Sequence, residues 1–263
     1  MSALALIVVT MSAAVAPVEA TAALPRCRVA DRITAFPART DWARSLLDTT
    51  YRLPRGYRPV GMASVRSAGL SGGGSVRRIV IADLRAMVRA SRRAGVRLAV
   101  ESAYRSYSTQ VWTFAHWARV GGVAAALASS ARPGHSEHQL GTAIDFKTAG
   151  GRQPWWGDWG RTREGGWLRR NAWRFGFVMS YPTGKKPVTC YRYEPWHFRY
   201  VGRALAARVH TSGLTLRQVL WQVQTEPPAV TTTTPTPTPI PSPDASQPPE
   251  PGTSPTPESS PAG

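Results

Sequence analysis

Two histidines and an aspartate able to meet at one point lie in two short strings far apart in this chain, so its fold has to bring those strings together. The first string runs Arg132-Pro133-Gly134-His135-Ser136-Glu137-His138-Gln139-Leu140-Gly141-Thr142-Ala143-Ile144-Asp145 and contains Ser-x-His-x-x-Gly-x-Ala-x-Asp. His138 supplies a neutral imidazole nitrogen and Asp145 a carboxylate oxygen, while Gly141 permits a tight backbone path that returns a strand toward His138. The second string, Tyr193-Glu194-Pro195-Trp196-His197, sets a carboxylate and a further imidazole three residues apart, with Pro195 restraining the backbone between them. Two imidazoles and one carboxylate leave a zinc ion an open position for water, the arrangement of catalytic rather than structural sites. The expectation is one zinc ion held by His138, Asp145 and His197, with Glu194 beside it as general base. Of the other histidines, His116 and His210 read as surface or partly packed residues, and His135 as a pocket-shaping neighbour rather than a ligand. Asp158 and Glu164 read as solvated or capping carboxylates.

Hydrophobic spacing places these strings among mixed elements. Val80, Leu84, Met87 and Val88 recur at helical intervals, and Gly95 is placed to end that helix. Val96, Leu98 and Val100 then alternate with Arg97, Ala99 and Glu101 as in a strand. Tyr107, Val111, Phe114 and Ala118 predict a helix over 106–119. Further strands are expected over 142–146, 177–179 and 188–193, with a helix over 166–175. Helices and short strands mix without βαβ regularity, which implies an α+β single domain with a small antiparallel sheet packed by helices. Residues 21–75, rich in turn formers, read as a loop-rich lead-in packed on a zinc domain over 76–222. Trp155, Trp156 and Trp159 read as core or as a lip over the cleft, with the lip favoured.

Both ends differ from this middle. Residues 3–16 are almost wholly apolar, too short a run to span a bilayer, and Val18-Glu19-Ala20 resembles a signal-peptidase site. Residues 1–20 are therefore expected to be a signal peptide or an N-terminal anchor, although no Lys or Arg precedes the apolar run. Residues 226–263 are nearly all Pro, Thr, Ser, Ala and Glu, the composition of an extended disordered tail. All 33 basic residues lie between Arg26 and Arg217 with ten of the 15 acids, so the middle carries a net +23. That charge suits a polyanionic neighbour. With an export signal the neighbour is the wall or membrane surface, and no clustered basic-aromatic motif indicates specific nucleic-acid binding. Membrane residence would follow only if the N-terminal segment is retained. Cys27 and Cys190 are the only cysteines, and in an oxidising compartment they allow one pairing. A disulfide is expected, with two free buried thiols as the alternative.

The two strings, together with Ser102-Ala103-Tyr104-Arg105-Ser106, closely resemble the VanY-type D-alanyl-D-alanine carboxypeptidases, which are related to the D-Ala-D-Ala dipeptidases and the hedgehog-like zinc fold. The resemblance covers about residues 54–220, including Gly72-Gly73-Gly74-Ser75 and Phe198-Arg199-Tyr200-Val201-Gly202. It implies the same ligands and base, with Arg105 facing the scissile carbonyl or terminal carboxylate and Ser136 and Gln110 lining the substrate site. A fixed guanidinium at Arg105 suits either task. The implied activity is removal of the terminal D-alanine from peptidoglycan stem peptides, outside the cytoplasm and in contact with anionic wall polymers. Dipeptidase or endopeptidase cleavage on the same scaffold, and a noncatalytic zinc-containing wall-binding module, are the alternatives. Two positions depart from the pattern: Ala103 and Cys190 stand where relatives commonly carry Gly.

Overall fold

The computed structural model describes residues 22–150 and 156–226, so the expected N-terminal segment, nearly all of the Pro/Thr tail and Trp155 lie outside the described residues. The lead-in holds β1 (Arg32–Ile33), β2 (Tyr51–Arg52), β3 (Met62–Ser64), β4 (Ser71–Gly72) and β5 (Ser75–Arg77). Then come α1 (Ile81–Arg93), β6 (Leu98–Ser102), α2 (Tyr107–Gly121), α3 (Val123–Ser129), β7 (Ala143–Thr148) and α4 (Arg163–Asn171). The chain continues through β8 (Phe177–Met179), α5 (Lys186–Thr189), β9 (His197–Tyr200), α6 (Arg203–Ser212) and α7 (Leu216–Thr225).

The central sheet has the order β4-β6-β7-β9-β8. Its last four strands are antiparallel, as expected, but β4 joins the edge of β6 in parallel. Gly72 makes that approach possible: its φ is 103°, and an added Cβ would collide with the Val100 carbonyl oxygen. Helix α1 lays Leu84, Met87 and Val88 into the core shared with Val100, Phe146, Phe177 and Phe198. It ends at Ala94, followed by Gly95 at φ 69°, as its spacing predicted. A second cluster joins Val178 and Val201 to Ala206, Val209, Leu216, Val219 and Leu220.

Three expectations change. No strand forms over 188–193; α5 closes there instead, and Cys190 takes a left-handed backbone at φ 73° that breaks any extended run. That conformation favours glycine, which gives a physical meaning to the cysteine's departure from the family pattern. The helix expected over 166–175 starts earlier, at Arg163, where the Thr162 hydroxyl accepts from the Gly165 N–H, and its last turn tightens to a 3-10 helix over Ala172–Phe175. Trp159 is core rather than lip, fully buried with its indole N–H donating to Thr148 Oγ1 at 3.2 Å.

The lead-in is bound tightly. Val65, Ala68 and Leu70 belong to the main core. The buried Asp48 carboxylate accepts the N–H groups of Thr50 and Tyr51 at 2.6 and 2.7 Å and the Arg217 Nε at 2.6 Å. Cys27 and Cys190 form a disulfide across 163 residues of sequence, with Cα atoms 5.3 Å apart.

Candidate metal and catalytic site

The two strings meet on the central sheet. His138 lies in a 3-10 turn over Glu137–Leu140 that ends at Gly141, whose φ of 74° lets its N–H donate back to the His138 carbonyl at 3.1 Å. The chain then enters β7, which carries Asp145 directly opposite His197 of β9 in the antiparallel register. The Glu194–His197 segment is a turn closed by the His197 N–H donating to the Glu194 carbonyl at 3.1 Å, so base and ligand face the same space. Ligand atoms of His138, Asp145 and His197 all lie within 4.8 Å of one another, and all three residues are buried.

Hydrogen bonding decides which ring nitrogen of each histidine faces inward. His138 Nδ1–H donates to the Ala103 carbonyl at 2.6 Å, which leaves Nε2 as the lone pair, 3.1 Å from Asp145 Oδ2. His197 Nε2–H donates to Glu137 Oε2 at 2.9 Å, which leaves Nδ1 facing Asp145 Oδ1 at 3.0 Å and Glu194 Oε2 at 3.8 Å. Two lone pairs and a carboxylate converging in a buried space repel one another unless positive charge sits between them. The donor set and its outer hydrogen bonds fit a zinc ion. The titration pattern also calls for positive charge at this point, where a proton on His197 Nδ1 serves Asp145 as a cation would. Against the cost of burial, hydrogen bonds to Asp145 and Glu137 carry His197 up to about 10. Burial and then the Arg105 guanidinium hold His138 down at about 4. Asp145 stays far below the usual carboxylate range because its histidine contacts outweigh its burial. Glu194 moves the other way, pushed by burial up to about 8.

Glu137 was not singled out as a functional residue, although its place beside His138 in the first string was a signal. It is buried, and against burial the charges of Arg199 and His197 keep it at about 2. Arg199 Nη1 donates to its Oε1 at 2.9 Å and the Ser180 hydroxyl to its Oε2 at 2.6 Å. Arg199 is itself fixed by the carbonyls of Trp42 and Ser45, both at 2.8 Å.

Beside these groups opens a cleft of about 440 Å³, lined by Arg105, Ser136, Glu194, Trp117, Trp196 and Tyr181 among others. Arg105 follows a bulge in β6, where the register with β7 shifts between Val100 and Ser102. Its Nη1 donates to the Ser102 hydroxyl oxygen at 3.0 Å and stands 3.8 Å from Asp145 Oδ2. Gln110 stands behind it and outside the cleft lining. Its Oε1 accepts from Arg105 Nε at 3.0 Å and its amide donates to the Ala131 carbonyl at 2.7 Å, a geometry for aiming Arg105 rather than touching substrate. His135 is fully buried but turned toward the lead-in, 2.7 Å from the Asp48 carbonyl and 3.0 Å from Asp31. His116 packs edge-on against Trp117, and His210 stacks on Trp173.

The family described as VanY, D-alanyl-D-alanine carboxypeptidase, matches residues 74–203. A solved vancomycin-resistance D,D-pentapeptidase VanY from a VanB-type cassette, in complex with Zn(II), shares 31% identity over 68% of this chain and 99% of its own, at a TM-score of 0.58. The chain belongs to the VanY family. A second structure, the LdcB LD-carboxypeptidase, aligns over 68% of this chain and 87% of its own at 31% identity and a TM-score of 0.63. Among curated relatives, the Bacillus subtilis (strain 168) protein YodJ, named as a carboxypeptidase, is 37% identical over 141 residues, which are 54% of this chain and 52% of YodJ. The chain thus spans about half the length of that relative.

Proposed function

We propose that this VanY-family protein is a zinc-dependent carboxypeptidase that hydrolyses the terminal D-Ala-D-Ala amide of peptidoglycan stem peptides, outside the cytoplasm. The observation that carries the reading is the convergence of two imidazole nitrogens and the Asp145 carboxylate within 4.8 Å of one another, with the half-buried Glu194 carboxylate 3.8 Å from one of those nitrogens. His138, Asp145 and His197 would hold one zinc ion, which when bound polarises the amide carbonyl and lowers the pKa of a water to about 7.

The chain's own groups divide the remaining work. Glu194 accepts the proton of the attacking water and returns it to the departing amine. Burial raises its basicity, and the half-turn from Glu194 to His197 keeps it beside the reacting atoms. Arg105, held at Nε by Gln110 and at Nη1 by Ser102, points its remaining donors into the cleft, where the terminal carboxylate or the developing oxyanion can take them. Ser136 lines the same cleft as a neutral hydrogen-bonding group. The net positive charge of the middle region favours an anionic wall environment.

Mass analysis of a defined pentapeptide stem after digestion tests the reading. Loss of a single D-alanine that stops with a chelator is expected; loss of two residues, an internal cut, or cleavage only of a stem already lacking its last D-alanine would reassign the bond. Zinc-containing protein that binds the stem and releases nothing would make it a binding module. Glu194→Gln is expected to retain zinc while turnover falls at least about a hundredfold.

A further inference from the structure

Five of the large apolar side chains that stand exposed belong to one hairpin, α2–α3: Val111, Trp112, Trp117, Val120 and Val123. Trp112 is 74% exposed, Val120 68% and Val123 60%. Trp112, His116, Arg119 and Val120 follow at i, i+4, i+7 and i+8, which puts them on one outward stripe of α2. Gly121 and Gly122 turn the chain so that Val123 opens α3 beside Val120, and the whole tip from Arg119 to Ala124 is exposed. An apolar tip with a tryptophan about 12 Å down the same helix is a poor face to leave in water.

The surroundings specify a charge. No acidic residue occurs from 102 to 136, nor from 49 to 82. The recess beside Trp112 and Val111 is lined by Arg55 and Arg58 with Tyr104 and Tyr107, and the Arg55 guanidinium lies 5.6 Å from the centre of the Tyr107 ring. Arginines next to a protruding tryptophan and two bare valines match an anionic lipid surface: guanidinium for headgroup phosphate, tryptophan for the interface, valine for the acyl boundary. A soluble sugar-phosphate polymer would use the arginines and the aromatic rings but gain nothing from Val120 and Val123.

We propose that the α2–α3 hairpin docks on an anionic phospholipid bilayer, inserting Val120, Val123 and Trp112 while Arg55, Arg58 and Arg119 meet headgroups. Thr113 and Trp117, on the adjoining side of α2, line the catalytic cleft. Docking therefore holds the mouth of the cleft beside the membrane surface.

Flotation of the full chain with vesicles tests this, using phosphatidylcholine alone and phosphatidylcholine mixed with phosphatidylglycerol. The wild type is expected to prefer the mixed vesicles and to keep part of its binding at about 0.5 M NaCl, where exposed charges are screened within a few ångströms. Val120→Asp/Val123→Asp is expected to bind them about tenfold or more weakly at both salt concentrations. Arg55→Gln/Arg58→Gln is expected to lose the preference for the anionic lipid. The variant Val120→Ser/Val123→Ser reads the same insertion without a new charge, and hydrolysis of a soluble pentapeptide by each variant reports that the fold and cleft are intact. Wild-type binding by both valine variants would overturn the proposal, since general electrostatics or another segment would then carry the attachment. Complete loss of wild-type binding in high salt would overturn it too. So would an equal effect of the valine changes on binding to soluble inorganic polyphosphate.

Discussion

Glu137 shows how much of the proposed metal site rests on a residue outside the ligand set. It takes the outward N–H of His197 and is locked by Arg199 and Ser180, so it fixes both the tautomer and the angle of a ligand. Glu137→Gln keeps the shape but removes the charge, leaving Arg199 buried without its counter-ion. Zinc affinity, read by competition with a chelating dye, is expected to fall about 10–100-fold. Stability, read by denaturant unfolding of the chelated protein, is expected to fall by about 3–5 kcal/mol. With Glu194 as the proposed base, the rate is expected to carry an acid limb. A base works only when ionised, and burial moves this carboxyl from 4.5 toward about 8, while a divalent cation beside it draws it back. The expected profile of kcat/KM on a stem peptide rises with pH through an apparent pKa between those two values, and a limb at or below 4.5 would take that role from Glu194. From sequence, the meeting of His138, Asp145 and His197 was legible because two strings of distinctive chemistry carried them. Glu137 was less so: its place beside His138 was a signal, but only its contacts with His197, Arg199 and Ser180 distinguish it from a solvated acid.

At the scale of elements, legibility followed length and period. Helices α1 and α2 and strand β6 are long enough for their apolar residues to repeat, and the spacing found all three. Strands β1 to β5 run two or three residues each, shorter than any period, so the lead-in read as loop. Strand β9 is buried at all four positions and has no alternation to detect, whereas the segment before it alternates and yet turns, because Cys190 leaves the extended region. Strand β4 depends on one residue that the glycine run half disclosed. At Gly72 a side chain meets both a positive φ and the Val100 carbonyl, whereas at Gly73 an added Cβ meets nothing within 4 Å. Gly72→Ala is expected to cost about 1–3 kcal/mol in denaturant unfolding and Gly73→Ala almost nothing. Equal costs at the two positions would mean that flexibility of the run, rather than the close approach of β4 to β6, is what the glycines supply.

Over the whole molecule, the Cys27–Cys190 bridge ties the first described segment to the chain just ahead of Glu194, and it closes a covalent loop across 163 residues of sequence. Past Cys190 the chain places Tyr191 against Tyr181, whose ring in turn lies 5.0 Å from His197. The bridge therefore restrains both the unfolded chain and one wall of the site. The proposed zinc ligands stand on the 3-10 turn, β7 and β9, which the bridge does not hold. Replacing both cysteines by serine is expected to lower stability by about 2–5 kcal/mol while zinc stays bound. Turnover is expected to fall more than zinc affinity, since the segment freed leads to the base. The backbone at Cys190 separates two contributions to that cost. At φ 73° a serine keeps the left-handed strain and a glycine relieves it, so Cys27→Ser/Cys190→Gly is expected to recover about 1 kcal/mol relative to the double serine variant. If the glycine variant is instead the less stable of the two, the left-handed turn is not retained once the bridge is gone, and the bridge rather than the local sequence holds the chain in that conformation.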